Sequence, residues 1–342
     1  MLRGFLPFTT RENMDQQSLK NEQYRLERLG KDALKRGDMQ SYLRYGNEAV
    51  EKVYTKLKMP QSEAISYVMR THISKEIIEG VFRSGTHMFP VLTKQKIPAC
   101  MAYVESFLET DLNPVEIVFT RGDFNHAEGR AQPCADTEHF VILPSPEHDF
   151  TSEDLLVHEL GHAVEFMRRR PTEEYGYYSS HKLFTEAIAH FVQFHYLTDH
   201  GTKEQRLAVF GSVLRDYMIM KALEATYELT ENTAPLDARR AITHEVMADL
   251  VSVYGKARTL DILMPFNGQP FWPLYYNLVE PRMGFVLALK LFNNKEAILK
   301  LTTEKQDRPL KETLDSLGLN GEELMDFSDA DDLIKKFIDK KL

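Results

Sequence analysis

The sequence predicts a mainly α-helical protein with one small β-sheet, on three observations. Apolar residues recur at mixed three- and four-residue spacing from about 16 to 108 and again from 151 onward, as amphipathic helices require. Between those stretches lie two short β-like runs, Val115-Glu116-Ile117-Val118-Phe119-Thr120 and His139-Phe140-Val141-Ile142-Leu143. No internal repeat or low-complexity tract interrupts the pattern, which sets solenoid and propeller architectures aside.

The first helical stretch is broken near Gly37-Asp38, Met59-Pro60 and Phe89-Pro90, where glycine and proline cannot continue a helix. Its first sixty residues carry a slight basic excess. That excess reads as a solvated helical face, with a surface for an acidic partner as the alternative. The two β-like runs are joined by a segment containing Gly129 and Pro133, which reads as a loop. Further helices are expected over 152–166, 183–192, 203–229, 235–254 and 271–292. The chain thus divides into an N-terminal helical region, 1–112, and a region 113–342 that holds the sheet and the later helices.

Composition excludes several classes of function. The 342 residues are 43% hydrophobic, enough for a large core, and carry a net charge of −9 with no long Lys/Arg block. Nucleic-acid binding therefore lacks its electrostatic footprint. No stretch approaches the roughly 18 apolar residues of a membrane span. The opening Met1-Leu2-Arg3-Gly4-Phe5-Leu6-Pro7-Phe8 is too short and interrupted for a secretory leader. Cys100 and Cys134 are the only cysteines, so neither a disulfide framework nor a Cys-rich zinc site is expected. A soluble cytoplasmic protein follows as the expectation.

The chemistry concentrates in His158-Glu159-Leu160-Gly161-His162. Thr151 or Ser152 offers an N-cap with acids in the next turn, so the pentad belongs on a helix. Residues four apart stand one above the other there, and His158 and His162 can offer two imidazole nitrogens to one Zn2+ ion. Glu159, beside the first ligand, reaches a metal-bound water without ligating the metal. Zinc lowers the pKa of that water, and the carboxylate takes its proton as it attacks a carbonyl. The alternative for the pentad alone is a helix with two surface histidines.

A catalytic zinc needs a third protein ligand. Glu165 and Arg168 stand where one zincin class requires Gly and His, which removes that class. A glutamate on a following helix is the other solution, and Glu186 lies among apolar and small residues in Leu183-Phe184-Thr185-Glu186-Ala187-Ile188-Ala189-His190. A carboxylate in such company is paired or metal-bound.

With these residues the chain resembles the oligoendopeptidase F and thimet oligopeptidase family, an M3-type group of gluzincins. The resemblance is carried by the pentad, Glu186, the upstream Gly129-Arg130-Ala131-Gln132-Pro133 and the later Gln269-Pro270-Phe271-Trp272-Pro273-Leu274-Tyr275-Tyr276 with Gly284-Phe285. It covers roughly residues 128–292. It implies a zincin core with one zinc ion held by His158, His162 and Glu186, and Glu159 as general base and acid. It further implies Tyr275 or Tyr276 as oxyanion stabiliser, and His139, Phe140 and Val141 on an edge strand that pairs with an extended peptide. The 1–112 helices would wall the cleft. Two positions depart from the family pattern: Glu165 replaces a third histidine, and Pro270 and Phe271 stand where a histidine precedes the tyrosines.

The implied activity is hydrolysis of oligopeptides or flexible protein segments. The alternatives are a zinc-stabilised binding protein without turnover and a protease dedicated to one protein partner. His190, four residues past Glu186, can support a ligand or simply pack. Tyr175, Tyr177, Tyr178 and His181 line a substrate cleft or pack, and Tyr178 is the one assigned to substrate. His244-Glu245, Cys134 and Trp272 read as structural.

Overall fold

The computed structural model describes residues 16–38, 40–42, 44, 45, 48, 65, 67–84, 92–120, 129–134, 138–144, 151–169, 181–304 and 308–342. The protein is mainly α-helical with one three-stranded sheet, as its periodicity predicts. Strands β1 (Val115–Thr120), β2 (Arg130–Cys134) and β3 (Glu138–Pro144) lie in the order β1-β3-β2, with β3 parallel to β1 and antiparallel to β2. Alternate side chains of β3 enter different cores, Phe140 and Ile142 on one face and Val141 and Leu143 on the other. A strand covered on both faces is a continuous apolar run, which is what residues 140–143 are.

This arrangement corrects the placement of the substrate-pairing edge. His139, Phe140 and Val141 lie on the central strand and are buried, so they are not an edge. Among the described residues β1 and β2 are both edge strands, and β2 lies in the segment expected to be a loop. Gly129 and Pro133 produced that expectation. A strand with one neighbour tolerates a residue that lacks an N–H, and Pro133 sits opposite His139 there.

Helix α1 (Gln16–Lys35) covers the outer face of the sheet, where Ala33, Leu34 and Tyr42 meet Phe140 and Ile142. Helices α2 (Lys75–Ser84) and α3 (Ile97–Leu108) follow. The pentad helix α4 (Glu153–Arg169) packs beneath the inner face, with Leu156, Val157, Leu160 and Val164 against Val141, Leu143 and Val104 of α3. Its first turn carries Glu153 and Asp154, its last Arg168 and Arg169, and Ser152 Oγ accepts from the Leu155 N–H at 3.4 Å. All three suit the helix dipole and its orphan N–H groups.

Helix α5 (Lys182–His200) lies along α4. A Cβ on Gly161 would stand 2.8 Å from Ala189 Cα, so the pentad glycine permits a close approach between the two helices. The remaining helices build the largest core around the other side of α5. Three long helices expected from periodicity are segmented. Helix α6 (Lys203–Ala208) stops at Val209 before α7 (Phe210–Thr230). The stretch 235–254 holds Ala238–Ala241, a 3-10 turn Glu245–Met247 and Ala248–Tyr254. The stretch 271–292 holds Phe271–Leu274, a π-helical turn Tyr275–Val279, Glu280–Arg282 and Gly284–Lys290. Among the described residues no helix is long and apolar enough to cross a membrane.

Candidate metal centre

Two facing helices converge on one point. His158 and His162 rise from successive turns of α4, with ring centroids 4.8 Å apart and planes at 89°. Glu186, in the first turns of α5, places Oε2 3.6 Å from His158 Nε2 and Oε1 3.8 Å from His162 Nε2. Donor atoms of these three residues all lie within 4.8 Å of one another. Each separation is too long for a hydrogen bond, which leaves the acceptors gathered around a gap.

The buried polar atoms fit a cation in that gap. Glu186 Oε2, which faces the Nε2 atoms of His158 and His190, has no hydrogen-bond partner among the described residues. An orphaned carboxylate oxygen this deep costs free energy unless something positive joins it. Two imidazoles and one carboxylate are the donor set that zinc accepts while keeping a further position open.

Burial sets the electrostatics. It pushes the Glu159 carboxyl up to about 7, with His162 opposing and Glu186 reinforcing the rise. It holds the His190 imidazole down at about 4 and that of His158 well below its ordinary value, so both rings are neutral. Burial raises Glu186 too, but the fields of His162, Arg282, His190 and Lys182 outweigh it and keep its carboxyl below the usual range. Glu159 also accepts from the backbone N–H of Ala131 on β2. A Cβ on Gly129 would come within 2.9 Å of Glu159 Oε1, so the residue before β2 must be glycine for the carboxylate to fit.

The structure gathers five of the expected residues, His158, Glu159, His162, Glu186 and His190, the last with its Nε2 3.8 Å from Glu186 Oε2. Tyr275 is fully buried in the main core with its ring against Phe271 and Trp272. The side chain of Tyr276 and all of Tyr175, Tyr177 and Tyr178 lie outside the described residues, as does the side chain of Cys134. His181 is buried, with Nε2 2.6 Å from the Arg308 carbonyl oxygen, and packs rather than lining a cleft. His244 caps a short turn by accepting from the Val246 N–H, a structural role.

Three contributors escaped the sequence. Gln193 bridges His158 and His190, and Asp154 receives the amide of Gln193. Arg282, its Nε donating to the buried Asp216 at 2.8 Å, adds a positive field at His158, Glu159, Glu186 and His190. Gln193 lies seven residues past Glu186 on the same helix, so its spacing was the one available signal.

No family model matches this sequence, and no curated protein matches it. Solved structures do resemble the fold. One, described as "putative peptidase from Chlamydophila abortus", superposes with a TM-score of 0.52 at 15% identity over 95% of this chain and 62% of its own. The chain thus spans less than two thirds of that protein's length. PZ peptidase A, solved with an inhibitor, gives a TM-score of 0.48 at 13% identity over 95% of this chain and 71% of its own. At such identity the first likeness establishes a shared fold.

Proposed function

We propose that the chain is a zinc-dependent peptidase acting on oligopeptides or flexible protein segments. The observation that carries this reading is a buried carboxyl, Glu159, standing beside the His158, His162 and Glu186 donor set without belonging to it. A site that only held a metal for stability would fill every position and need no base alongside. The description of the Chlamydophila abortus structure as a peptidase accords with it at the level of fold.

Zinc bound by His158, His162 and Glu186 supplies Lewis acidity to the attacking water and the scissile carbonyl. Glu159 takes the water's proton on its carboxylate and passes it to the leaving amide nitrogen. The Ala131 N–H holds the carboxylate, and Gly129 leaves the room it occupies. Substrate pairing falls to β2, the edge strand whose first residues touch Glu159, in an extended mode that demands little of substrate sequence.

Metal analysis with digestion of a peptide library tests this. Glu159→Gln is expected to keep the metal content of the wild type and to lower cleavage at least about 10²-fold. Equal cleavage by the two proteins sinks the assignment. A wild type that binds zinc tightly and cleaves nothing supports the binding-protein alternative.

A further inference from the structure

We propose that Gln193 is a positioning residue that locks two imidazoles of the site into one tautomer. The inference rests on the peptidase reading for its purpose, while its geometry stands apart from it. Gln193 Oε1 lies 3.1 Å from His158 Nδ1 and 3.1 Å from His190 Nδ1. Its amide nitrogen lies 3.0 Å from Asp154 Oδ2. The Asp154 carboxylate only accepts, so the amide turns its nitrogen to Asp154 and its oxygen to the rings. That oxygen also only accepts, so both rings carry their proton on Nδ1 and leave Nε2 as a lone pair.

Both Nε2 atoms then face Glu186 Oε2, at 3.6 Å for His158 and 3.8 Å for His190. Rotation of either ring would surrender its bond to Gln193, and a shift of the proton to Nε2 would set two acceptors against each other at Nδ1. Asp154 anchors the assembly from the first turn of α4, where the helix N-terminus stabilises a buried negative charge. The sequence-distant pair Asp154 and Gln193 thus presents His158 Nε2 to the cation before the cation arrives, and His190 is held as a neutral neighbour of Glu186. Such fixed partners of metal-ligating histidines typically change metal affinity by about 10- to 100-fold when removed.

The clamp is tested by exchanging which partner carries the amide. Gln193→Met removes the shared acceptor. Gln193→Glu combined with Asp154→Asn keeps an acceptor toward the rings and restores a donor–acceptor pair across the Asp154 gap. Zinc affinity is measured on the full chain by competition with a chelator, and ring tautomers on the metal-free protein by 15N–1H imidazole NMR. The wild type is expected to show Nδ1–H for His158 and His190. Gln193→Met is expected to bind zinc about 10- to 100-fold more weakly with mixed tautomers. The double variant is expected to recover wild-type tautomers and most of the affinity. Nε2–H on either ring of the wild type overturns the proposal, as does a Gln193→Met protein with wild-type affinity and tautomers. A wild type that binds no zinc sinks the peptidase reading instead, and the tautomers of the wild type then decide the clamp alone.

Discussion

Glu165 stands three residues past His162, where the family resemblance expects a histidine, and its surroundings explain the difference. Its Oε1 lies 2.8 Å from an Arg169 nitrogen, both side chains fully buried, and accepts from Thr185 Oγ1 at 3.1 Å. Thr185 immediately precedes Glu186, so the contact fixes the turn of α5 that carries the third donor. Arg169 also donates to the Leu301 carbonyl at 2.9 Å. Removing one partner of a buried pair strands the other charge, and Glu165→Ala is expected to destabilise the fold by about 3–5 kcal/mol. Chemical denaturation measures this, and a loss below about 1 kcal/mol would show that the pair is not the anchor described. The sequence made Glu165 visible as a departure, but its partner in α5 lies 20 residues on and gave no signal.

At the scale of elements, the α4–α5 contact decides whether the donors meet. Gly161 lets Ala189 approach so closely that a methyl group at Gly161 would sit 2.8 Å from Ala189 Cα and 2.9 Å from Val192 Cγ1. Overpacking of this kind costs about 1–3 kcal/mol. Gly161→Ala is therefore expected to lower stability by that amount and to weaken zinc binding, because the displaced α5 takes Glu186 with it. Gly211→Ala, where nothing lies within 4 Å, is the control. In the first turn of α7 it is expected to be neutral or stabilising by up to about 1 kcal/mol. Equal zinc affinities in the two variants would contradict the packing account. The helices themselves were legible because their periodicity is local. The edge strand β2 was not, since a proline reads as a loop signal until the number of strand neighbours is known.

For the whole molecule, the proposed zinc site makes the gap between His158, His162 and Glu186 a place where cation binding would be linked to folding. A cation that binds only the native chain stabilises it by RT ln(1 + [L]/Kd), about 2.7 kcal/mol at a hundredfold excess over Kd. Chelation is therefore expected to lower the melting temperature, and added zinc to restore it in the wild type. A variant lacking Glu186 should melt at one temperature with or without zinc. Wild-type melting that ignores zinc would remove the metal from the account of this fold.

The sequence by itself determined the helical architecture, the helix bearing His158 and His162, and Glu186 as a carboxylate in apolar company. Each of these rests on spacings of a few residues, where helix geometry converts sequence directly into direction. Only the tertiary structure decided that β3 is central with β2 at one edge, that Glu165 belongs to Arg169, and that Gln193 joins Asp154 to two histidines. Except for the one-turn contacts Glu165–Arg169 on α4 and His190–Gln193 on α5, these relations link residues on different elements. Hydrogen-bond complementarity, packing and strand order select such partners after the chain has folded, and the partners leave no periodic trace along it.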